Sequence, residues 1–462
     1  MGGPTTRLVS LGAAAAVLVF SKTARADDPG AAVAGSSAKP VWLTDLSFSD
    51  KESYDDNVLV VSGQGMPEQS SWLNTASFKL GVDLAPVLAD GNAVQSLAFA
   101  YQADRFFYAQ APAEDYTAHR FNELFRGKVG SFSYSLDNAF LYEDGSRLGA
   151  TYALNQLTGP AANQDDKYRN FFSQAVPRER RNQIQDRYTA QVRYDTADFF
   201  FRPISTLTYY NLNTALFNTS AAPYKGYQDW PDRWDVNGGG DLGFKATPDL
   251  AFTLGYRDGY QHQDQFSPGI NSDQHFSSNH YQRVLLGLEG KPAPWLNVKL
   301  AAGPDFRDYN PQTPISALRT TRYYGEALAT AALPGNQSLT LNYKQWLFVS
   351  STGLAPYYDT LCSIFYHWNA TRQLGLDMGA KYMEANFKPG DDFEGSAPSL
   401  RDDTDCQGSI GINYALSPHL AASITYTYDK GLNDLGGLAA AYFPAYRDFE
   451  HAIVAMGLQF KF

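Results

Sequence analysis

The feature that most narrows the possible folds is a rhythm of connections. Segments whose side chains alternate between apolar and polar are joined by links that are short and long in turn. In 250–263, Leu250, Phe252, Leu254 and Tyr256 alternate with Ala251, Thr253, Gly255 and Arg257. The last segment does the same, with Val454, Met456, Leu458, Phe460 and Phe462 set against Ala455, Gly457, Gln459 and Lys461. A period of two places each class of side chain on its own face of a strand. The short links include Asp195-Thr196-Ala197, Thr247-Pro248-Asp249 and Ala370-Thr371-Arg372. Their Pro and Asp residues supply the backbone angles of tight turns. The long links, such as 264–278 and 387–403, are polar.

Eighteen such segments fit along 41–462, from 41–49 to 450–462, with 41–49, 116–127 and 321–333 the weakest. They leave eight short connections and nine long ones, the longest over 144–183 and a minimal one at Lys128-Val129. A sandwich gives no reason for link lengths to alternate, and a β-helix would show a fixed repeat. An antiparallel meander with turns at one end and loops at the other is the pattern of a transmembrane up-and-down β-barrel. The expected fold is therefore all-β, with 18 strands and 16 as the alternative. Barrels of that size leave an aqueous channel.

Composition agrees by exclusion. Apolar residues make up 44% of 462, but past the extreme N-terminus no run reaches the length of about 20 that a spanning helix needs. A net charge of −11 argues against nucleic acid as a partner. Two cysteines build no disulfide framework. Cys362 and Cys406 fall on apolar faces two strands apart, about 9–10 Å, too far to bridge. Residues 1–26 read as a cleaved signal peptide: Arg7, an apolar run from Leu8 to Phe20, then Ala24-Arg25-Ala26. Residues 27–40 read as a flexible periplasmic lead-in.

His451 to Phe462, an alternating strand closing on an aromatic residue, resembles the ending of bacterial outer-membrane barrels of the porin-like class. The resemblance implies the outer membrane as location, its lipid as solvent, and Phe462 as a signal for the barrel assembly machinery. A homo-oligomer is compatible with it. Trp42, Trp295 and Trp368 near the turn ends, and Trp72, Trp234 and Trp346 near the loop ends, are expected to form two aromatic girdles.

No residue set points to catalysis or to a cofactor. Gly238 to Gly243 matches the dinucleotide pattern G-x-G-x-x-G, but it lies inside an alternating strand with no helix to follow. His262, His275 and His280 show no metal-ligand spacing. The expectation is therefore no enzyme, no metal and no cofactor.

The informative charges are those that alternation turns inward. Arg187, Arg193, Arg202, Arg257, Arg283, Lys299, Arg307, Arg322 and Lys344 have the parity opposite to the apolar face of their strands, and so are expected to line a pore. An arginine at the lipid midplane would cost about 2–4 kcal/mol. The inward acids expected beside them are chiefly Glu289, Asp305 and Glu326, whereas Asp402 and Asp403 are assigned to a long loop. Loop 144–183, with Arg169, Arg178, Arg180 and Arg181, is expected to fold into the lumen and constrict it, the alternative being that Arg147–Leu154 pairs locally and the loop stays outside. The function expected is passive diffusion of small hydrophilic solutes with a mild anion bias. The alternative is a barrel component of polysaccharide or protein export, or one that anchors a partner.

Overall fold

A computed structural model describes residues 39–60, 68–88, 93–146, 181–211, 232–263, 278–311, 318–349, 356–386, 401–435 and 448–462. Strands form where the period-two segments lie. They are β1 (Leu43–Asp55), β2 (Ser71–Asp83), β3 (Val94–Tyr108), β4 (Tyr116–Val129), β5 (Phe132–Ser146) and β6 (Arg181–Asp195). Then come β7 (Phe199–Asn211), β8 (Arg233–Thr247), β9 (Leu250–Gln263), β10 (Asn279–Ala293), β11 (Leu296–Tyr309) and β12 (Arg319–Leu333). The last six are β13 (Gln337–Phe348), β14 (Tyr357–Asn369), β15 (Leu374–Asn386), β16 (Arg401–Ala415), β17 (Leu420–Leu435) and β18 (Phe449–Lys461).

All eighteen strands belong to one sheet in which each pairs antiparallel with its chain neighbours, and β18 pairs with β1. The sheet is thus closed, which leaves no outer strand edge for lipid to solvate. The Phe462 N–H donates to the Leu46 carbonyl at 3.0 Å and seals the turn end of the seam.

The faces invert the arrangement of a water-soluble protein. On β18, Val454, Met456, Leu458 and Phe460 are exposed outward, whereas Ile453 and Ala455 are buried on the inner face. Phe252, Leu254 and Tyr256 on β9, and Ile410 and Ile412 on β16, face outward likewise. A continuous apolar exterior of this kind is a lipid-facing surface, and the chain is an outer-membrane barrel. Phe48, Phe460 and Phe462 cluster at the turn end, and Tyr54 packs on Trp72 at the loop end, 5.5 Å between centroids. Trp346 departs from the girdle expected for it: it shares the parity of Lys344 and is buried inside the barrel. Cys362 and Cys406 are free, each opposite Tyr382 on the strand between them.

Several boundaries move. The first strand runs on to Asp55 rather than ending at 49, the polar run 50–53 being carried by pairing with both β2 and β18. The connection expected at 144–183 narrows to 147–180, because Glu143↔Gln183 and Asp144↔Asn182 continue the β5–β6 ladder. The minimal link expected at Lys128-Val129 is instead Gly130-Ser131. There Gly130 takes φ +57°, a left-handed angle that glycine adopts without steric cost.

A luminal basic wall and an inward hairpin

All nine cations expected inside the barrel lie on inner faces, and the fold gathers most of them into one wall across β6 to β13. Arg257 and Arg283 are directly opposite each other in the β9–β10 ladder. Two like charges on one rung repel, and a carboxylate on the outer side of each offsets this. Asp241 accepts from Arg257 and from Arg202, both at 2.8 Å. Asp305 accepts from Arg283 at 2.8 Å and from Arg307 at 2.7 Å. Glu289 joins Arg202 at 2.8 Å and Arg193 at 3.0 Å. The Arg193–Glu289 contact links β6 to β10, which are not neighbours in the sheet, so these side chains run as chords inside the lumen. Such charge-assisted pairs are roughly twice as strong as neutral hydrogen bonds.

Local sequence explains part of this geometry. A Cβ on Gly243 would collide with the Phe200 ring, at 2.0 Å from its nearest carbon. The missing side chain makes room for Phe200, whose ring carries Arg193 at 3.7 Å and Arg202 at 5.3 Å from its centroid. The glycine run that mimics a nucleotide motif is thus a seat for an aromatic ring and for Asp241. Neither Asp241 nor Asp195, which pairs with Arg193 and Lys245, was among the expected acids, although strand parity places both inward.

The other cations are less closely held. Lys299 reaches Glu326 only at 3.9 Å and its side chain is 58% exposed. Arg187 on β6 lies within electrostatic range of Glu326 on β12 and Lys344 on β13. Lys344 sits over Trp346 at 4.4 Å. Arg322 is half-buried on the inner face of β12.

The opposite wall is acidic. Asp359 on β14, Asp403 and Asp405 on β16, Asp429 on β17 and Asp55 on β1 all point inward and are buried, none more than 4% exposed. Asp403 had been assigned to a loop, but β16 starts at Arg401 and puts Asp402 and Asp403 on a strand. The signal available was parity: Asp359 and Asp405 alternate with Cys362 and Cys406, which face out.

Between the walls, the loop end of β13 leaves the sheet. Pairing of β12 with β13 stops at Gly325↔Gln345, although β12 extends to Arg319 and β13 to Phe348. The β13–β14 ladder continues to Phe348↔Tyr357 and β14 stays paired with β15 to Tyr358↔Asn386, so the sheet parts between β12 and β13 and the end of the β13–β14 hairpin leans into the lumen. Its tip is pinned from the far wall. Arg233 on β8 donates to the Val349 carbonyl at 2.7 Å and to the Tyr357 hydroxyl at 3.2 Å. The Leu347 carbonyl accepts from Gln261 at 3.2 Å and Arg307 at 3.0 Å. The Arg233 guanidinium also lies 4.8 Å from the Tyr210 ring and 4.7 Å from Phe348. Trp346, Phe348 and Val349 pack there with Ala139 and Leu141 of β5, Tyr210 of β7, and Leu361 and Met383 of the near wall. The constriction that the described residues show is therefore this hairpin. Arg169, Arg178 and Arg180 lie outside the described residues, and Arg181 is the first residue of β6, its backbone opposite Ser146. Toward the turn end a cavity of about 1060 Å³ remains, lined by Lys51, Lys79, Gln102, Arg120 and His367 among others.

Fold and interior together define an outer-membrane β-barrel of the porin-like class. No protein-family model matches the sequence, and a search among curated proteins found no match. Among solved structures, OccK1 (OpdK) from Pseudomonas aeruginosa is similar at 8% identity and a TM-score of 0.42, over 90% of this chain and 98% of that one. OccAB4 from Acinetobacter baumannii is similar at 9% and 0.38, over 90% and 98%. The siderophore receptor PirA from Acinetobacter baumannii is similar at 7% and 0.40, over 91% and 81%. These superpositions are loose, and the barrel rests on its own closed ladder of strand pairs.

Proposed function

We propose that this barrel is a channel for passive diffusion of small hydrophilic solutes, narrowed by the β13–β14 hairpin and mildly selective for anions. The observation that carries the proposal is the basic wall inside a closed 18-strand barrel. Accessible charge governs a permeating ion more than total charge does, because water screens exposed groups and low-dielectric surroundings sharpen the rest. Lys299 and Arg193 are open to the lumen, with 58% and 28% of their side-chain surface exposed. Asp359, Asp405 and Asp429 are at most 2% exposed. Asp195 and Glu326, 35% and 33% exposed, share the basic wall, so Lys299 is the cation that meets a solute first. Glu289, Asp241 and Asp305 offset part of the wall, so the bias is modest.

Reversal potentials across a salt gradient test this for the native barrel and for a Lys299→Glu, Arg193→Glu variant. Native anion preference that weakens or reverses in the variant supports the reading. A cation-preferring native channel refutes it. The hairpin filling the loop end also favours a second reading, an export component closed without its partner. A steady current from purified barrel alone in a planar bilayer rules that out.

A further inference from the structure

At the loop end of the seam, three ligand-type side chains from opposite ends of the chain converge. Asp55 ends β1 and is followed by Asp56, and His451 lies near the start of β18. One ligand atom from each falls within 4.8 Å of the other two. His451 Nε2 is 2.9 Å from Asp55 Oδ1, with both residues buried. Asp56 is held against β18: its N–H donates to the Ala452 carbonyl at 3.2 Å, and its Oδ1 accepts from the Ala452 N–H at 2.7 Å. The Asn57 N–H donates to Asp55 Oδ1 at 2.9 Å and fixes that carboxylate's rotation.

A second observation is independent of the cluster. Asp55 Oδ2 is fully buried and has no hydrogen-bond partner among the described residues. A buried carboxylate oxygen without a donor is strongly unfavourable, and a cation is the partner that would remove the penalty. The charge balance points the same way. His451 is the only ion-pair partner of Asp55 among the described residues, and Asp429 stands directly opposite His451 on β17, also inward.

We propose that Asp55, Asp56 and His451 bind a divalent transition-metal cation, of the zinc or manganese class, that clips β1 to β18 at the rim. Imidazole selects such metals over magnesium and calcium, whose preferred ligands are all oxygen. Zinc–nitrogen and zinc–oxygen bonds of about 2.0–2.2 Å place adjacent ligand atoms roughly 3.4 Å apart at the tetrahedral angle. The metal takes the place of the hydrogen bond between Nε2 and Oδ1, now 2.9 Å long, and the two atoms move slightly apart. On binding, the proton on Nε2 leaves that atom, moving to Nδ1 or to solvent, because the ligating nitrogen must present its lone pair. The remaining positions on the metal are left for water.

The test uses full-length, tag-free barrel folded in detergent, stripped with chelator and titrated with zinc chloride by calorimetry. The expected result is one site per chain. It should weaken by about tenfold or more in Asp55→Asn and in His451→Gln, a loss typical of disturbed metal sites. Asp56 is exposed, so Asp56→Asn keeps the fold and should weaken binding too, whatever happens to the buried variants. The temperature at which the gel band shifts should rise with zinc and fall with chelator in the native chain, and in no variant. Unchanged zinc affinity in both Asp56→Asn and His451→Gln would overturn the proposal. So would calcium binding that matches zinc and ignores His451→Gln.

Discussion

Arg233→Ala should loosen the luminal hairpin and enlarge the current. In the native barrel the guanidinium donates two hydrogen bonds, to the Val349 carbonyl and the Tyr357 hydroxyl, and lies on two rings. Bonds from a charged donor contribute about 1.5–3 kcal/mol each, and each cation–π contact about 0.5–2 kcal/mol. Keeping a guanidinium away from water works against these gains, so we take a net loss of about 2–4 kcal/mol on truncation. At 1.4 kcal/mol per decade, the ratio of docked to undocked hairpin falls roughly 30- to 700-fold. Gln261 and Arg307 still hold Leu347, so Phe348, Val349 and Tyr357 are the part released. Single-channel recording in planar bilayers should show a larger main conductance or flicker to a new, higher level. Arg233→Lys, which keeps the charge but not the planar fork, should fall between native and Ala. A heat-shifting, folded Arg233→Ala barrel with native conductance and no new level would refute the argument, because the hairpin would then not limit current.

Other outcomes can be checked more briefly. Unboiled protein should migrate apart from boiled protein on a detergent gel, since the closed ladder resists unfolding until heated; identical mobility would contradict closure. Deleting Phe462 removes its bond to Leu46 and its contacts with Phe48 and Phe460. That deletion should lower the assembled amount in outer-membrane fractions while export continues, and undiminished assembly would dismiss the terminal aromatic as a signal. Asp305→Asn leaves Arg283 and Arg307 without their shared carboxylate. The band-shift temperature should drop and the reversal potential should move toward anions, and a shift toward cations would contradict the basic-wall reading.

Strand number and facing were legible because alternation reports a strand's two faces without reference to any partner. Arg257 and Arg283 could be placed inside on that ground alone, and they lie inside. What alternation cannot report is contact across the lumen. Arg193 meets Glu289 over 96 residues of sequence, and Arg233 meets Val349 over 116. No local spacing encodes those chords, so the pinned hairpin was invisible. Trp346 differs for a simpler reason: its height in the strand suits a girdle, but its parity, that of Lys344, turns it inward. The Asp55–His451 pair spans 396 positions, beyond the reach of any local spacing.

That same separation has a consequence for how the protein must be built. Every pairing but one joins strands consecutive in the chain, so the sheet can grow by successive hairpins, each with low contact order. The exception, β1 with β18, joins residues as far apart as Ser47 and Lys461. Closing a flexible loop of some 400 residues costs about 5 kcal/mol of chain entropy if the ends search freely. Growth of a curved sheet brings those ends together stepwise and removes most of that search. Until the seam zips, β1 and β18 are two bare edges on one molecule, each able to recruit a foreign strand. The dangerous species in this protein's life is therefore the nearly finished barrel, with seventeen ladders made and one open.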